Sequence, residues 1–502
     1  MENVLDKRVQ DKRNRPIVLA AIILAMFMGA IEGTIVSTAM PAIVGELGDF
    51  SLYSWVFSSY LLMNTVTVLI YGKLADLFGR KPVIIIGIII FLIGSILCGL
   101  ANSMVTLIIF RFIQGFGAGA ITPIATTIVG DLYTKEERAK IQGYLSSVWG
   151  ISAILGPALG GLLVQYVSWR FIFWINIPLG ILAGLGIAIF LHENIDKTKK
   201  SIDYPGALLI GISTSILMFV LVEGGNRWDW LSIEIIGLLT TSLILFFLFY
   251  LQEQKAVEPI MPFSIWKNRT ILLANLTSFT TGIMLIGISS FLPTFVQGVM
   301  EESAIVAGFT LTTMSIGWPI ASTIAGPLLL KIGIRATSFL GGIALVIGSL
   351  MFVMLTPQAG PIWAATGSFI IGIGMGLTNT TFIVAIQSSV SWEQRGIATA
   401  ANSFMKNLGN TVSAAFLGGI LNSQLMNYLT NYGSANTAGL TVDSTNLLLN
   451  KEERDQLPGG ILHLLQEGLT YSLQTVYYVV LFLAIISMIF IWLLPRKKYE
   501  SS

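Results

Sequence analysis

The sequence predicts an all-α polytopic membrane protein: two six-helix bundles, two inserted helices between them, and both termini in the cytoplasm. Three observations predict it. Of 502 residues, 54% are hydrophobic and only 11% charged, against roughly 25% charged in an ordinary soluble domain. Apolar runs of about 20 residues, the length that spans a hydrocarbon core, recur from one end to the other. A glycine-rich pattern of the first half returns in the second half. The 50 glycines also suit close helix packing in lipid.

The spans fall at about 17–44, 52–74, 83–102, 106–130, 139–165, 170–192, 204–223, 231–251, 270–297, 304–331, 336–356, 361–388, 396–422 and 471–494, fourteen in all. An even number returns the chain to the side on which it began. With the N-terminus inside, 23 of the 29 Lys and Arg fall in inner segments, 4 in outer ones, and 2, Arg111 and Lys406, within spans. Such an excess marks cytoplasmic loops, and a plasma-membrane location is expected. The first apolar run is too long for a signal peptide and shows no cleavage site, so it reads as a retained first helix. The organisation is then a tail at 1–16, a bundle at 17–200, inserted helices at 201–255, and a second bundle at 256–495. A long outer loop at about 423–470 and a tail at 496–502 complete it. Within that loop, Ile461 to Leu469 (ILHLLQEGL) reads as a short amphipathic helix on the membrane or over the outer mouth, or as a tether.

Several classes are disfavoured. A single cysteine, Cys98, gives no disulfide framework and reads as a small buried hydrophobe. His192 and His463 lack metal-ligand spacing. There is no P-loop, so ATP does not drive the protein directly. We expect no catalytic residue, metal, cofactor or nucleic-acid partner, and a monomer in contact with membrane lipid.

The repeat is specific. Gly115, Gly117 and Gly119 match Gly372, Gly374 and Gly376 at an offset of 257, which also carries Arg138 onto Arg395 and Gly161 onto Gly418. Separately, Gly72 to Lys81 (GKLADLFGRK) has a worn counterpart in Gly326 to Arg335 (GPLLLKIGIR). Spans 1–6 therefore match spans 9–14 in parallel orientation, an architecture of transporters.

Charges inside spans need a partner or a wet cavity, and they usually mark ion or substrate pathways. Arg111 lies about 7 Å from the outer end of the fourth span, and Glu32 about 22 Å from the inner end of the first. In a core of about 30 Å both sit at nearly the same depth, in the outer half. One reading is an inert pair that fixes two helices. The other is a proton site: Glu32 takes a proton from outside and releases it inside, with Arg111 opposing protonation when close and permitting it when distant. Lys406 lies near the midplane of the thirteenth span, with Asn407 beside it.

At five motifs the chain resembles the major facilitator superfamily, in its fourteen-helix drug:proton antiporter branch, over nearly its whole length. GKLADLFGRK (72–81) matches the loop motif after the second helix, and LIIFRFIQGFGAG (107–119) the motif of the fourth. GISAILGPALGG (150–161) matches the fifth-helix motif associated with antiporters, and EGTIVSTAMP (32–41) and WRFIFWINIPLG (169–180) resemble motifs of the branch. Glu32 stands where the family usually carries Asp, and Ser37 where it carries Asn. KNLGN (406–410) replaces an arginine followed by paired glycines. The acidic residue that some cation exporters carry in that region is absent.

The resemblance implies roles. Gly72, Asp76, Gly79, Arg80 and Lys81 would form a gate: the glycines permit a tight turn, while Asp76 caps a neighbouring helix N-terminus or pairs with Arg80 or another basic group. A plain inner loop with cytoplasmic charges is the alternative. Gly150, Gly156, Pro157, Gly160 and Gly161 would bend or seal the fifth helix, since Gly156 and Gly160 permit close approach and Pro157 removes a backbone bond. Ordinary close packing coexists with that role. Tyr60, Asn64, Trp149, Asn275, Phe279, Trp318, Asn379, Phe382 and Phe404, with Lys406 and Asn407, would line an aromatic-rich cavity that binds amphipathic molecules broadly, although packing explains each aromatic or amide taken singly.

The expected function is a proton-coupled antiporter, a secondary active transporter rather than an enzyme, exporting several amphipathic small molecules by alternating access. The alternative substrate is a dedicated amphipathic anion, lipid or metabolite, favoured by Lys406. A receptor or scaffold on a degenerate transporter fold is the reading from another class, opposed by the retained motif residues.

Overall fold

The structure, a computed structural model, describes residues 14–47, 52–193, 203–224, 228–256, 259, 261–302, 304–432, 440, 442–449 and 454–495. The described residues are helical almost throughout. The helices are α1 (Arg15–Leu47), α2 (Tyr53–Phe78), α3 (Arg80–Gly99), α4 (Met104–Leu132), α5 (Lys135–Tyr166), α6 (Phe171–Trp174), α7 (Asn176–Phe190), α8 (Tyr204–Glu223), α9 (Ile233–Lys255), α10 (Arg269–Gly298), α11 (Ala304–Val353), α12 (Gly360–Ser388), α13 (Arg395–Tyr432), α14 (Asn446–Leu449) and α15 (Gly459–Trp492).

Local chemistry sets several starts. Ser103 and Thr106 form a capping box at α4, and Thr134 and Glu137 form one at α5, so orphan amides at both N-termini are bonded. Asp203 accepts from Gly206 N at α8, and Ser232 from Ile235 N at α9. Eleven helices among the described residues are long and apolar enough to cross a membrane.

The chain divides into two compact units, an N unit of Met1–Asn275 with Phe382–Phe404 and a C unit of Leu276–Thr381 with Met405–Ser502. The segment Phe382–Phe404, placed by sequence in the second bundle, groups with the N unit because the end of α12 and the start of α13 are bonded to it. Gln387 Nε2 donates to the Thr126 carbonyl at 3.1 Å, and Arg395 Nη1 to the Gly130 carbonyl at 3.1 Å. The inserted helices α8 and α9 pack on each other, joined by Ser242 Oγ donating to the Ser213 carbonyl at 2.9 Å. They belong to the N unit, where α8 lies on α2.

The internal repeat is visible as packing. A Cβ on Gly115 would run into the Tyr60 carbonyl, and one on Gly372 into the Met314 carbonyl. Gly117 lies on the Gly87 carbonyl and Gly374 on that of Gly341. The tight turn repeats too: Gly79 (φ 97°) separates α2 from α3, and Gly333 (φ 84°) breaks α11 at the matching place. Both lie in the half of backbone space that glycine enters without a Cβ penalty. Gly79 and Gly333 are 254 apart, whereas the later glycines are 257 apart. The connection Met354–Ala359, with its 3₁₀ turn at Pro357–Ala359, is two residues longer than the one at Leu100–Ser103 and takes up two of those three residues.

The loop expected at about 423–470 is shorter than expected. α13 runs on to Tyr432, and Ile461–Leu469 is not a separate amphipathic helix but the first part of α15, continuous into the last span. Leu425, Leu429, Leu465 and Leu469 are buried in one C-unit core, which Leu448 of α14 joins. That burial holds both helices intact beyond the expected spans. Ring contacts of Tyr477 with Phe295 and Phe352 mark the centre of this core.

Candidate functional site

α1 carries Glu32 and α4 carries Arg111 into the same buried place in the N unit, at relative exposures of 0% and 1%. Arg111 Nη1 donates to Glu32 Oε1 at 2.5 Å and to Gln114 Oε1 at 2.8 Å, while its Nε donates to the Val56 carbonyl at 3.0 Å. The second carboxylate oxygen accepts from Asn176 Nδ2 at 2.7 Å. Gln114 Nε2 donates to Ser95 Oγ at 2.8 Å, and Tyr60 lies under the guanidinium, 4.3 Å from ring centroid to Cζ. Two charges taken out of water need this density of partners, since an incomplete set leaves a costly orphan.

The matched depths of Glu32 and Arg111 are thus a direct contact. Sequence reasoning missed Gln114, Asn176 and Ser95. Gln114 stands three residues from Arg111 on one helix face, and Asn176 lies inside a quoted motif as the first residue of α7. Those positions were the available signals. Cys98 is buried, as expected, and its thiol faces Gln114 Oε1 at 3.7 Å.

The fifth-helix motif touches the same helix as Glu32. Gly156 lies against Thr34 so closely that a Cβ would clash with its hydroxyl, which donates to the Ser152 carbonyl at 3.0 Å. Gly150 and Gly160 are buried, whereas Gly161 has no neighbour within 4 Å of an added Cβ and so makes no close approach. The backbone of Pro157 is helical; its side chain, like that of Ser37, lies outside the described residues.

A second polar cluster forms at the α2–α3 turn. Asp76 accepts from Gly396 N at 2.9 Å and Ile397 N at 2.7 Å, capping α13 from a distant segment, and it pairs with Arg80 at 2.9 Å. Both expected partners of Asp76, a helix N-terminus and Arg80, are present together. Arg80 also donates to the Trp392 carbonyl at 2.7 Å, lies over the Trp392 ring at 3.9 Å, and meets Asp131 at 3.1 Å. Asp131 in turn holds Arg395 at 2.9 Å. The amides of Arg80 and Lys81 both donate to Glu193, each at 3.0 Å. Gly72 faces Ala400 and the Gly396 carbonyl too closely for a Cβ. The sequence did not reveal Asp131, Glu193 or Trp392 as members of this cluster.

The expected cavity residues divide. Tyr60, Asn275, Phe382 and Phe404 are buried, and Asn402 Nδ2 donates to Asn275 Oδ1 at 3.0 Å. Asn64, Phe279, Trp318, Asn379, Lys406 and Asn407 are half-buried, while Trp149 is 51% exposed. Lys406 Nζ sits 4.7 Å over the Trp318 ring in the C unit.

The Major Facilitator Superfamily profile matches residues 22–414. The chain belongs to that superfamily. It is 35% identical to "Multidrug resistance protein 3" of Bacillus subtilis (strain 168), over 99% of this chain and 98% of that protein. It is 39% identical to "Multidrug transporter protein MdtP" of the same organism, over 83% of this chain and 77% of that protein. "Efflux pump FUS6" of Gibberella moniliformis is 30% identical, over 85% of this chain and 77% of that protein. Among solved structures, the human organic anion transporter MFSD10 superposes with a TM-score of 0.62 at 12% identity, covering 94% of this chain and all of that one. The proton:xylose symporter XylE also gives 0.62, at 13% identity, covering 95% and 94%. These structural matches establish the shared transporter fold.

Proposed function

We propose that this member of the superfamily is a proton-coupled antiporter that exports amphipathic drugs or toxic compounds across the plasma membrane by alternating access. The observation that carries the reading is Glu32, wholly buried in a membrane-spanning helix and held by Arg111 and Asn176. Relatives named as multidrug proteins, one matched over nearly its whole length, support the substrate class. The chain crosses fourteen times: the Val306–Val353 span is two helices parted at Gly333, and α5 and α13 cross as well. The Lys and Arg bias puts both termini in the cytoplasm, and the protein works as a monomer among lipids.

Protonation of Glu32 removes the negative charge that holds Arg111. The guanidinium keeps its bonds to Val56 and Gln114, and α1 is freed from α4. Gly156, seated on Thr34 two residues further along α1, carries that change to α5. The Asp76 and Arg80 cluster is the gate on the other face. Substrate-induced proton release tests this. In weakly buffered detergent solution, adding a transported dye should release protons from wild type and none from Glu32→Gln. Equal release from both would overturn the assignment of Glu32. A dedicated amphipathic anion as cargo is the second reading, and the cation Lys406 favours it.

A further inference from the structure

The guanidinium groups of Arg80, Arg111, Arg170 and Arg395 each hold a carboxylate at 2.9 Å or closer. Lys406 is different. It stands about 16 Å along α13 from its start, and among the described residues no Asp or Glu reaches its ammonium. Its partner is the Trp318 ring, 4.7 Å away. Glycines pin both backbones: Gly282 is pressed on the Lys406 carbonyl, and Gly376 on that of Trp318. Both side chains are only half-buried. The pair is therefore a fixed, reachable combination of one cation and one indole face.

We propose that Lys406 and Trp318 form a recognition site for an organic anion that carries a flat ring. The anionic group takes the ammonium, and the ring stacks on the indole face that the ammonium leaves. Charge balance drives the choice. A cation inside a membrane-spanning bundle needs a counter-charge or a wet cavity, and a π face satisfies it only in part. An arriving anion completes the pair in a medium where Coulomb attraction is strong. A cationic substrate competes with Lys406 for the same indole face and meets repulsion from the displaced ammonium. This inference names a substrate class for the exporter proposed above and rests on that reading.

The test uses two xanthene dyes of similar size, anionic fluorescein and cationic rhodamine 123. Binding to the purified full-length protein in detergent is read by fluorescence polarisation. Wild type should bind fluorescein more tightly than rhodamine 123. Lys406→Met should weaken fluorescein about tenfold or more, the scale of one lost charge partner, and leave rhodamine 123 equal or tighter. Lys406→Arg should keep fluorescein binding, and Trp318→Leu should weaken fluorescein while Trp318→Phe restores it. If Lys406→Met does not elute as a sharp monodisperse peak, Lys406→Gln takes its place with the same expectation. The proposal is overturned if wild type prefers rhodamine 123, or if removing the ammonium changes both dyes equally or neither. Because binding is read without a gradient, the two readings fail separately. A chain that binds fluorescein through Lys406 but exports neither dye from vesicles refutes export alone, whereas export with no effect of Lys406 on fluorescein refutes the site alone.

Discussion

Replacing Asp76 by alanine should unfasten the start of α13. Its carboxylate accepts from two amides that begin that helix, Gly396 N at 2.9 Å and Ile397 N at 2.7 Å, which have no partner one turn earlier. Hydrogen bonds to an ionised group contribute ~1.5–3 kcal/mol each, so the two together hold the helix end by about 3–6 kcal/mol. Arg80 keeps Asp131 at 3.1 Å, which limits the further loss to the broken Asp76–Arg80 pair. At about 1.4 kcal/mol per tenfold, amide exchange at Gly396 and Ile397 should accelerate about 10²–10⁴-fold. Asp76→Asn keeps one carbonyl oxygen, so its effect should be about the square root of that, roughly 10–100-fold. Hydrogen–deuterium exchange read by mass spectrometry on peptides covering 392–404 makes the measurement. Exchange in Asp76→Ala within about threefold of wild type would refute the capping role.

Three further outcomes follow from the same geometry. Arg111→Leu strands a buried carboxylate and should cost ~3–5 kcal/mol. The double variant Arg111→Leu/Glu32→Gln should recover much of that loss in thermal unfolding, whereas additive losses would contradict the pairing. Gly79→Ala and Gly333→Ala should each cost about 1–3 kcal/mol, because both force a side chain into a positive-φ, extended-ψ region that is essentially open to glycine alone; melting temperatures in detergent check whether the repeated turns respond alike. Glu46 lies outside the hydropathy-defined span, exposed at the end of α1. Its carboxyl is held below the ordinary 4.5 by Arg170 and then by the Trp169 indole N–H. The contacts therefore add stability above about pH 4.5 that disappears as pH falls through the lower folded value. Wild type should lose thermal stability over that acidic window more steeply than Glu46→Gln.

Much of the site was legible because ionisable residues are rare inside apolar spans. Glu32 and Arg111 stand out by charge alone, and counting residues along two helices put them at one depth. Their neutral partners do not stand out. Gln114, Asn176 and Ser95 are ordinary polar residues until α3 and α7 pack beside α1 and α4 and bring them within hydrogen-bond reach. The Asp76 cluster shows the same limit. Asp131, Glu193 and Trp392 come from three distant segments, and only tertiary packing assembles them around Arg80. Helix ends were the weakest reading. The sequence after residue 422 turns polar, which suggests a loop, yet Leu425 and Leu429 are buried against Leu465 and Leu469. Tertiary burial overrides local polarity there and extends α13 and α15 beyond the apolar runs. The repeat was legible through glycines because close helix approach leaves few other residues at those positions.

Dye transport in proteoliposomes under an imposed pH gradient, comparing wild type with Glu32→Gln, decides whether Glu32 couples protons to export. Rhodamine 123 and fluorescein cover both substrate charges. Wild type should move at least one dye against its gradient, and the variant should allow only downhill exchange of the same dye. If Glu32→Gln concentrates dye as well as wild type does, the proton travels elsewhere and Glu32 with Arg111 is a packing pair.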